Sequence, residues 1–318
     1  MSDITSVREG GRLLVVTYHY VREQGGLYPG IHPVTREDLA QQIIRLKDKF
    51  HAVDLSEVIE FSQGLKPLKR DSFLITFDDG LQDHYLAAKD VLRDLGIKGA
   101  FFVPTRPQHD GLSPAVHKIH WLRAHTEPSC FNALLRELLP GEWSNFELSD
   151  IDKKRAAEMH IHDVAEVQIL KFALNFIIPY NVVDAVMSKM LVELGVSEAE
   201  FCQMTFMDYS QMRELIDDGH IIGLHGHDHV PFSVLDRDNI DKDITKNAEA
   251  LKSALNYQPR WLSYPYGRPD AIPAEPCKFC QRYDIDVAFT LSSGFNKFGD
   301  DKSLFKRITP NELDQFFC

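Results

Sequence analysis

Residues 72–80 read Ser-Phe-Leu-Ile-Thr-Phe-Asp-Asp-Gly, an apolar run that ends in two acidic residues and a glycine. A short run rich in β-branched and aromatic residues predicts a buried strand over Ser72–Phe77. A helical pattern over Leu86–Leu95 follows and is closed by Gly96, and Gly99–Val103 is the next apolar run. This alternation of strand, helix and strand predicts parallel βα units.

The same alternation continues on both sides of this stretch. Further strands are predicted at Leu13–Tyr18, Ile221–His225, Arg260–Tyr264, Asp286–Leu291 and Leu304–Ile308. Helices are predicted between them at Asp38–Asp48, Ser56–Gln63, Phe206–Asp218 and Ile240–Leu255.

One block interrupts the alternation and shows mainly helical periodicity. Its predicted helices are His117–Arg123, Cys130–Leu139, Ile151–Ile177 and Val182–Leu194. A helical insertion into a βα barrel explains this order better than two sequential domains. We therefore predict an α/β fold with one barrel domain, residues 1–108 plus 206–318, and a mostly helical insertion, residues 109–205.

Composition restricts the classes of partner. The 318 residues hold 35 Lys and Arg against 47 Asp and Glu, a net charge of −12. A chain this acidic has no general attraction to nucleic acid or anionic lipid. It has no run near the roughly 18 apolar residues that span a bilayer and no visible secretory signal, so we expect no membrane span and a cytoplasmic location.

Asp78 and Asp79 directly follow a buried strand. In βα folds such carboxylates face the active-site mouth, and two adjacent ones are costly unless a cation or a proton separates their charges. One solution lets one carboxylate bind a metal while the other stays free as a base. The alternative is a simple turn, since Asp-Gly is a common turn dipeptide.

A second polar segment, His225-Gly-His227-Asp-His229, also follows a predicted strand. Imidazole and carboxylate groups are typical ligands of zinc and other divalent transition ions. The spacing alone leaves three metal-binding pairs open: 225 with 227, 227 with 229, and 225 with 229. The alternative is a polar loop with surface histidines.

These segments together resemble the polysaccharide deacetylase family, also called the NodB-homology domain or carbohydrate esterase family 4. The family's T-F-D-D-G motif is complete at Thr76–Gly80, and its H-[ST]-x-x-H motif is matched at His225–His229 with a glycine at the hydroxyl position. Its R-x-P-Y-G motif appears at Ser263–Gly267 with serine at the arginine position, and Thr17–His19 is similar to the family's first strand. The resemblance covers about residues 11–108 and 206–310.

The resemblance implies a distorted (β/α) barrel of the NodB type and a hydrolase that acts on carbon–nitrogen bonds other than peptide bonds. It implies one divalent metal, Zn²⁺ first with Co²⁺, Ni²⁺ or Mn²⁺ as alternatives, on Asp79, His225 and His229. Asp78 would be the general base towards a metal-bound water, and the backbone N–H of Tyr266 would stabilise the oxyanion. The implied activity removes an N-acetyl or O-acetyl group from a sugar or polysaccharide precursor.

One departure concerns the general acid. The family commonly supplies a histidine near the C-terminus, but all 14 histidines here lie at or before His229. The corresponding tail contains Arg307, which can orient Asp78 or bind an anion but cannot donate a proton at neutral pH. Asp78 could return its own proton, and the other candidate donors are His19, His32, His109 and His117. We keep His19 and Arg307 as substrate-binding or supporting residues.

Two rival functions stay open at this point. One is hydrolysis of a non-sugar amide or cyclic imide, which Gly226 favours because it replaces the family's hydroxyl residue. The other is a metal- or sugar-binding relative without catalysis. The predicted partner is a small or oligosaccharide acetylated sugar, and the helical insertion suggests a lid or a contact within a homo-oligomer.

Overall fold

A parallel sheet forms the centre of the computed structural model, which describes residues 10–23, 33–144, 146–159 and 164–317. Within these ranges the sheet has seven strands in the order β1-β3-β4-β5-β6-β7, with the short β2 paired to β3. The strands are β1 Leu13–Tyr18, β2 His51–Ala52, β3 Ser72–Phe77, β4 Gly99–Val103, β5 Ile221–Leu224, β6 Trp261–Ser263 and β7 Val287–Phe289. Every ladder between them is parallel, as the βα alternation predicts.

Successive side chains of each strand alternate between two apolar layers. Leu14, Val16 and Phe77 belong to the layer under the surrounding helices. Leu13, Val15 and Phe102 belong to a second cluster, on the opposite face of the sheet. Both faces of the sheet are therefore buried, which explains why its strands are almost continuously apolar.

The C-terminal segment completes the barrel. It was predicted as a strand over Leu304–Ile308, but it forms only isolated bridges, from Phe305 to Phe289 of β7 and from Ile308 to Val16 of β1. The amide of Ile308 donates to Val15 O at 2.9 Å, and the amide of Thr290 donates to Phe305 O at 2.8 Å. These contacts connect the two edges of the sheet, and they place Arg307 between β7 and β1.

Helices lie around the sheet and in the segment between β4 and β5. They are α1 Arg36–Lys49, α2 Leu55–Ser62, α3 Gln82–Ala87, α4 Arg93–Leu95, α5 Arg106–Asp110, α6 Ala115–His125, α7 Pro128–Leu138, α8 Asp150–Met159, α9 Ala165–Phe172, α10 Tyr180–Glu193, α11 Glu198–Thr205, α12 Tyr209–Asp217, α13 Arg237–Leu255 and α14 Pro276–Arg282. Residues Ala88–Leu92 and Ala173–Ile177 are π-helical, and Phe232–Val234 and Pro310–Phe316 are 3₁₀ turns.

Two differences from the predicted helices have local causes. The single helix predicted over Ile151–Ile177 is wrong, because Val164 has an extended backbone (φ −69°, ψ 154°) and begins α9 as its N-cap. Helices α5, α11 and α14 were not predicted; they have only 5, 8 and 7 residues, too few to show a clear helical periodicity. None of the helices in the described ranges combines the length and the apolar character needed to cross a membrane.

The block between β4 and β5 contains helices α5 to α11 and has an apolar cluster of its own. Lys118 lies inside it, completely buried, with Nζ 2.7 Å from both Asp184 of α10 and Glu198 of α11. Because an unpaired buried ammonium is costly, this pairing fixes α6 against both helices. The division into residues 109–205 and the rest stays a prediction.

Gly223 in β5 gives a stability prediction. A Cβ there would lie 2.5 Å from Phe102 Cδ1 and 3.0 Å from Trp261 O, so Gly223→Ala should lower the free energy of unfolding by about 1–3 kcal/mol through overpacking. Denaturant unfolding measures this, with Gly141→Ala as control, because within the described residues, its chain neighbours aside, nothing lies within 4 Å of a Cβ there. Equal stability of the two variants would contradict the packing of β4 against β5.

Candidate active site

The sheet face that carries Val15 and Phe102 becomes polar towards the carboxyl ends of the strands. Polar side chains follow the apolar ones there, and all of them are nearly fully buried. They are Thr17, Thr76, Asp78, Ser263 and Arg307. Because the carboxyl ends of parallel strands meet at one edge of the barrel, chemistry is expected at this end.

Asp78 is held by a bidentate ion pair. Arg307 Nη1 lies 2.8 Å from Asp78 Oδ1 and Nη2 lies 2.7 Å from Oδ2, while the Ser263 hydroxyl donates to Oδ2 at 3.0 Å. Burial alone would raise the pKa of Asp78, but the Arg307 guanidinium outweighs it and holds the pKa below its usual range. Of the two roles predicted for Arg307, the structure therefore supports orienting Asp78.

Asp79 leaves the strand with an unusual backbone. Its φ is 82° and that of Gly80 is 65°, and a Cβ on Gly80 would lie 2.9 Å from Val103 Cγ1. Buried His84 fixes this turn: its Nδ1 accepts from the Leu81 amide at 3.2 Å, and its Nε2 donates to His19 O at 2.6 Å. The turn directs the Asp79 carboxylate towards the histidine segment.

Asp79, His225 and His229 converge. One potential ligand atom from each lies within 4.8 Å of the others, and all three residues are buried. His225 Nε2 and His229 Nε2 lie 3.3 Å and 3.1 Å from Asp79 Oδ1. His227 lies elsewhere, with Nδ1 at 2.9 Å from Thr105 Oγ1 and Nε2 at 2.9 Å from Asp110. Of the three histidine pairs left open by the spacing, the structure brings 225 and 229 to Asp79.

The donor set fits a divalent cation. His225 Nδ1 donates to Ser263 O at 2.8 Å, so in the neutral ring the Nε2 lone pair points at Asp79. Asp79 Oδ1 is buried and has no hydrogen-bond partner in the described part of the chain. Lone pairs from a carboxylate and an imidazole that face one another repel unless a cation lies between them, and two imidazoles with one carboxylate suit zinc.

The helical block adds a further imidazole to the cluster. His117 of α6 is 1% exposed, and its Nε2 lies 3.6 Å from Asp79 Oδ2. Its Nδ1 lies 2.8 Å from the hydroxyl of Tyr20. Burial lowers the pKa of His117 to about 3, so the ring is neutral.

The other predicted proton donors separate into three cases. His19 lines the same cavity as Asp78 and Asp79. His109 has a half-exposed side chain beside Asp110 and does not line that cavity. His32 lies outside the described residues.

Tyr266 also has a left-handed backbone, with φ 63°. Its hydroxyl donates to Asn175 Oδ1 at 2.9 Å, and its ring centroid lies 5.2 Å from that of His229. Within the described residues its backbone N–H donates no hydrogen bond to another backbone group. Positive φ also occurs at Asp79 and His229, and such strained residues cluster at functional sites.

The backbone angle and the close packing at position 226 exclude residues other than glycine. Its φ is 71°, and a Cβ there would lie 2.8 Å from Asp243 Oδ1 and 3.3 Å from Pro265 Cγ. Buried Asp243 in turn accepts the amides of His227 at 2.9 Å and Asp228 at 2.8 Å. The glycine is thus explained by the packing of this loop, and it no longer favours a non-sugar substrate.

Two adjoining cavities open over the cluster, with volumes of about 650 and 690 Å³. Both are lined by His229, Tyr266 and Asn175, so they form one cleft around the predicted site. Asp78, Asp79 and His225 lie in the first cavity, together with Arg123 and two further cationic side chains, Lys171 and Arg268.

The comparisons with known proteins agree with this arrangement. The sequence profile described as polysaccharide deacetylase matches residues 173–282. That range includes the two later motifs and the end of the helical block, but not Thr76–Gly80. No curated protein matches the chain in sequence.

Several solved structures share the fold over nearly the whole chain. IcaB from Ammonifex degensii is 19% identical with a TM-score of 0.56, and the alignment covers 97% of each chain. The Streptococcus pyogenes deacetylase PplD in complex with acetate is 14% identical with a TM-score of 0.59, over 97% of this chain and 99% of that one. The BpsB deacetylase domain from Bordetella bronchiseptica is 16% identical with a TM-score of 0.54, over 94% and 95%.

The match to the polysaccharide deacetylase profile indicates a hydrolase that acts on carbon–nitrogen bonds other than peptide bonds. The fold is the distorted (β/α) barrel of the NodB type, as predicted. The resemblance to the polysaccharide deacetylase family, carbohydrate esterase family 4, is confirmed.

Proposed function

We propose that the protein is a metal-dependent deacetylase that hydrolyses an N-acetyl or O-acetyl group of a sugar or polysaccharide precursor. The observation that carries this proposal is the convergence of Asp79, His225 and His229 beside the paired Asp78, inside a cleft at the carboxyl ends of the strands. We assign the divalent cation to these three side chains. Zn²⁺ is the first choice, because two imidazoles and one carboxylate suit it, and Co²⁺, Ni²⁺ and Mn²⁺ are alternatives.

A divalent cation held by Asp79, His225 and His229 would activate a water molecule and polarise the acetyl carbonyl. Asp78 accepts the proton of the attacking water, and Arg307 keeps its carboxylate ionised and oriented for that task. The Tyr266 N–H donates to the oxygen of the acetyl group as negative charge develops on it. His19 lines the cleft beside Asp78, where it can contact the substrate or the leaving amine.

The expected substrate is an acetylated sugar, either small or part of an oligosaccharide. The cleft supports this, because the two cavities around Tyr266 provide room for neighbouring sugar rings. Zinc as the natural metal, a cytoplasmic location and a homo-oligomer formed through the helical insertion stay predictions.

Acetate release from a panel of N-acetylated and O-acetylated sugars tests the proposed function. The Zn²⁺-loaded protein should release acetate from at least one of them, and the protein stripped with a chelator should not, until Zn²⁺ is added back. A parallel arm with small cyclic imides and non-sugar amides tests the rival hydrolase. Turnover only in that arm would replace the proposed substrate, and metal binding without any turnover would indicate a non-catalytic relative.

A further inference from the structure

His117 belongs to the helical block, yet its ring reaches the predicted metal ligands. Its side chain is buried, and its Nε2 has no hydrogen-bond partner in the described part of the chain. The nearest charged atom is Asp79 Oδ2, 3.6 Å away. Because a buried polar group without a partner is unfavourable, this orphaned nitrogen indicates a function that the motifs do not explain.

The contacts of the ring indicate which nitrogen carries the proton. His117 Nε2 faces an oxygen of the Asp79 carboxylate. A proton on Nε2 is attracted to this oxygen, whereas a lone pair on Nε2 would be repelled by it. Nδ1 is then the acceptor, and the hydroxyl of Tyr20 donates to it at 2.8 Å. His120 Nδ1, 3.1 Å from the same hydroxyl, donates to its oxygen. The chain from His120 through Tyr20 to His117 thus holds an N–H directed at Asp79.

We propose that His117 is a positioning residue for Asp79: its Nε2–H binds Oδ2 and keeps Oδ1 turned towards His225 and His229. The inference rests on the metal site of the proposed function. The present separation of 3.6 Å exceeds a hydrogen bond by about half an ångström, which a small rotation of the carboxylate closes. Partners of this kind orient a ligating carboxylate and set metal affinity.

The surroundings of His117 keep the ring in place. Its edge packs against Phe206, with ring centroids 5.1 Å apart. The next residue, Lys118, is anchored by its ion pairs to Asp184 and Glu198. The helical block therefore contributes a residue to the site, and we infer that removing or shifting α6 weakens metal binding.

The test compares three substitutions of His117 by measuring Zn²⁺ affinity, through competition with a chromogenic chelator. Glutamine places an amide N–H near the position of Nε2, whereas asparagine places its amide near that of Nδ1. His117→Ala and His117→Asn should weaken Zn²⁺ binding by about 10–100-fold, while His117→Gln should stay close to wild type. Tyr20→Phe, which removes the donor to Nδ1, should weaken binding by a smaller factor.

The outcomes separate this inference from the proposed function. Thermal unfolding of the metal-free variants identifies any that do not fold. If His117→Ala or His117→Asn does not fold, the Zn²⁺ affinities of His117→Gln and Tyr20→Phe decide instead. Unchanged Zn²⁺ affinity in folded His117→Ala would overturn the positioning role and leave the proposed metal site intact. Loss of Zn²⁺ affinity in all three His117 variants, together with a changed Co²⁺ absorption spectrum, would show that His117 binds the metal directly. That result would also overturn the positioning role. Wild type that binds no Zn²⁺ would refute the proposed function itself.

Discussion

Replacing His229 by alanine is expected to lower Zn²⁺ affinity by at least about 100-fold and to abolish acetate release. This loss of affinity is larger than the loss of about 10–100-fold that follows when a residue hydrogen-bonded to a metal ligand is replaced. His229 Nε2 lies 3.1 Å from Asp79 Oδ1, and its backbone already has a strained φ of 57° that only a defined loop maintains. Without this imidazole two ligands remain, which hold a divalent cation poorly. Metal content after gel filtration, together with acetate release, measures the effect.

His227→Ala is the matched control for this experiment. His227 lies in the same loop and is as buried as His229, but its ring contacts Thr105 and Asp110 instead of Asp79. We expect this variant to lose some stability and to retain its Zn²⁺. Equal metal content in His229→Ala and wild type would show that the ligand assignment is wrong.

Asp78→Asn is expected to reduce acetate release by about 10²–10⁴-fold while leaving the bound Zn²⁺ in place. The amide keeps the size of the carboxylate but cannot accept the proton of the attacking water. It also leaves Arg307 buried without a charged partner, so we expect the free energy of unfolding to fall by about 3–5 kcal/mol. Activity should therefore be measured well below the unfolding temperature, and per mole of bound metal.

Asp71→Asn provides the comparison, because it removes a carboxylate from a partly exposed pair with Arg12. Such pairs contribute about 0–1 kcal/mol, so this variant should be close to wild type in both stability and rate. Full activity of a metal-loaded Asp78→Asn protein would rule out Asp78 as the general base.

The local features of the site could be predicted because each lies within a few residues of a strand. The run Ser72–Phe77 is buried on both faces, so its apolar character alone indicates a parallel strand. The acidic doublet and the histidine segment each follow such a strand, so both were expected at the same end of the barrel. Their closeness to one another follows from the parallel order of β3, β4 and β5.

Other features depend on residues distant in sequence. Ser263 was noted only as a departure from the family motif, but its hydroxyl contacts Asp78 and its carbonyl fixes the His225 ring. Alternation along β6 could have indicated that Ser263 faces the barrel interior with Trp261. Nothing in the local sequence distinguishes His117 from the other histidines of the helical block.

The amino-acid sequence by itself determined the alternation of strands and helices, the helical interruption and the residue types at the strand ends, because these depend on periodicity and local backbone preference. The tertiary structure decided among the candidates: it brings His225 and His229 to Asp79, as the resemblance implied, and pairs Arg307 with Asp78. It alone brought His117 of the helical block into the cluster. The reason is physical: each of these contacts joins segments far apart in the chain. Their side chains meet only after the sheet has curled and the C-terminal segment has joined β7 to β1.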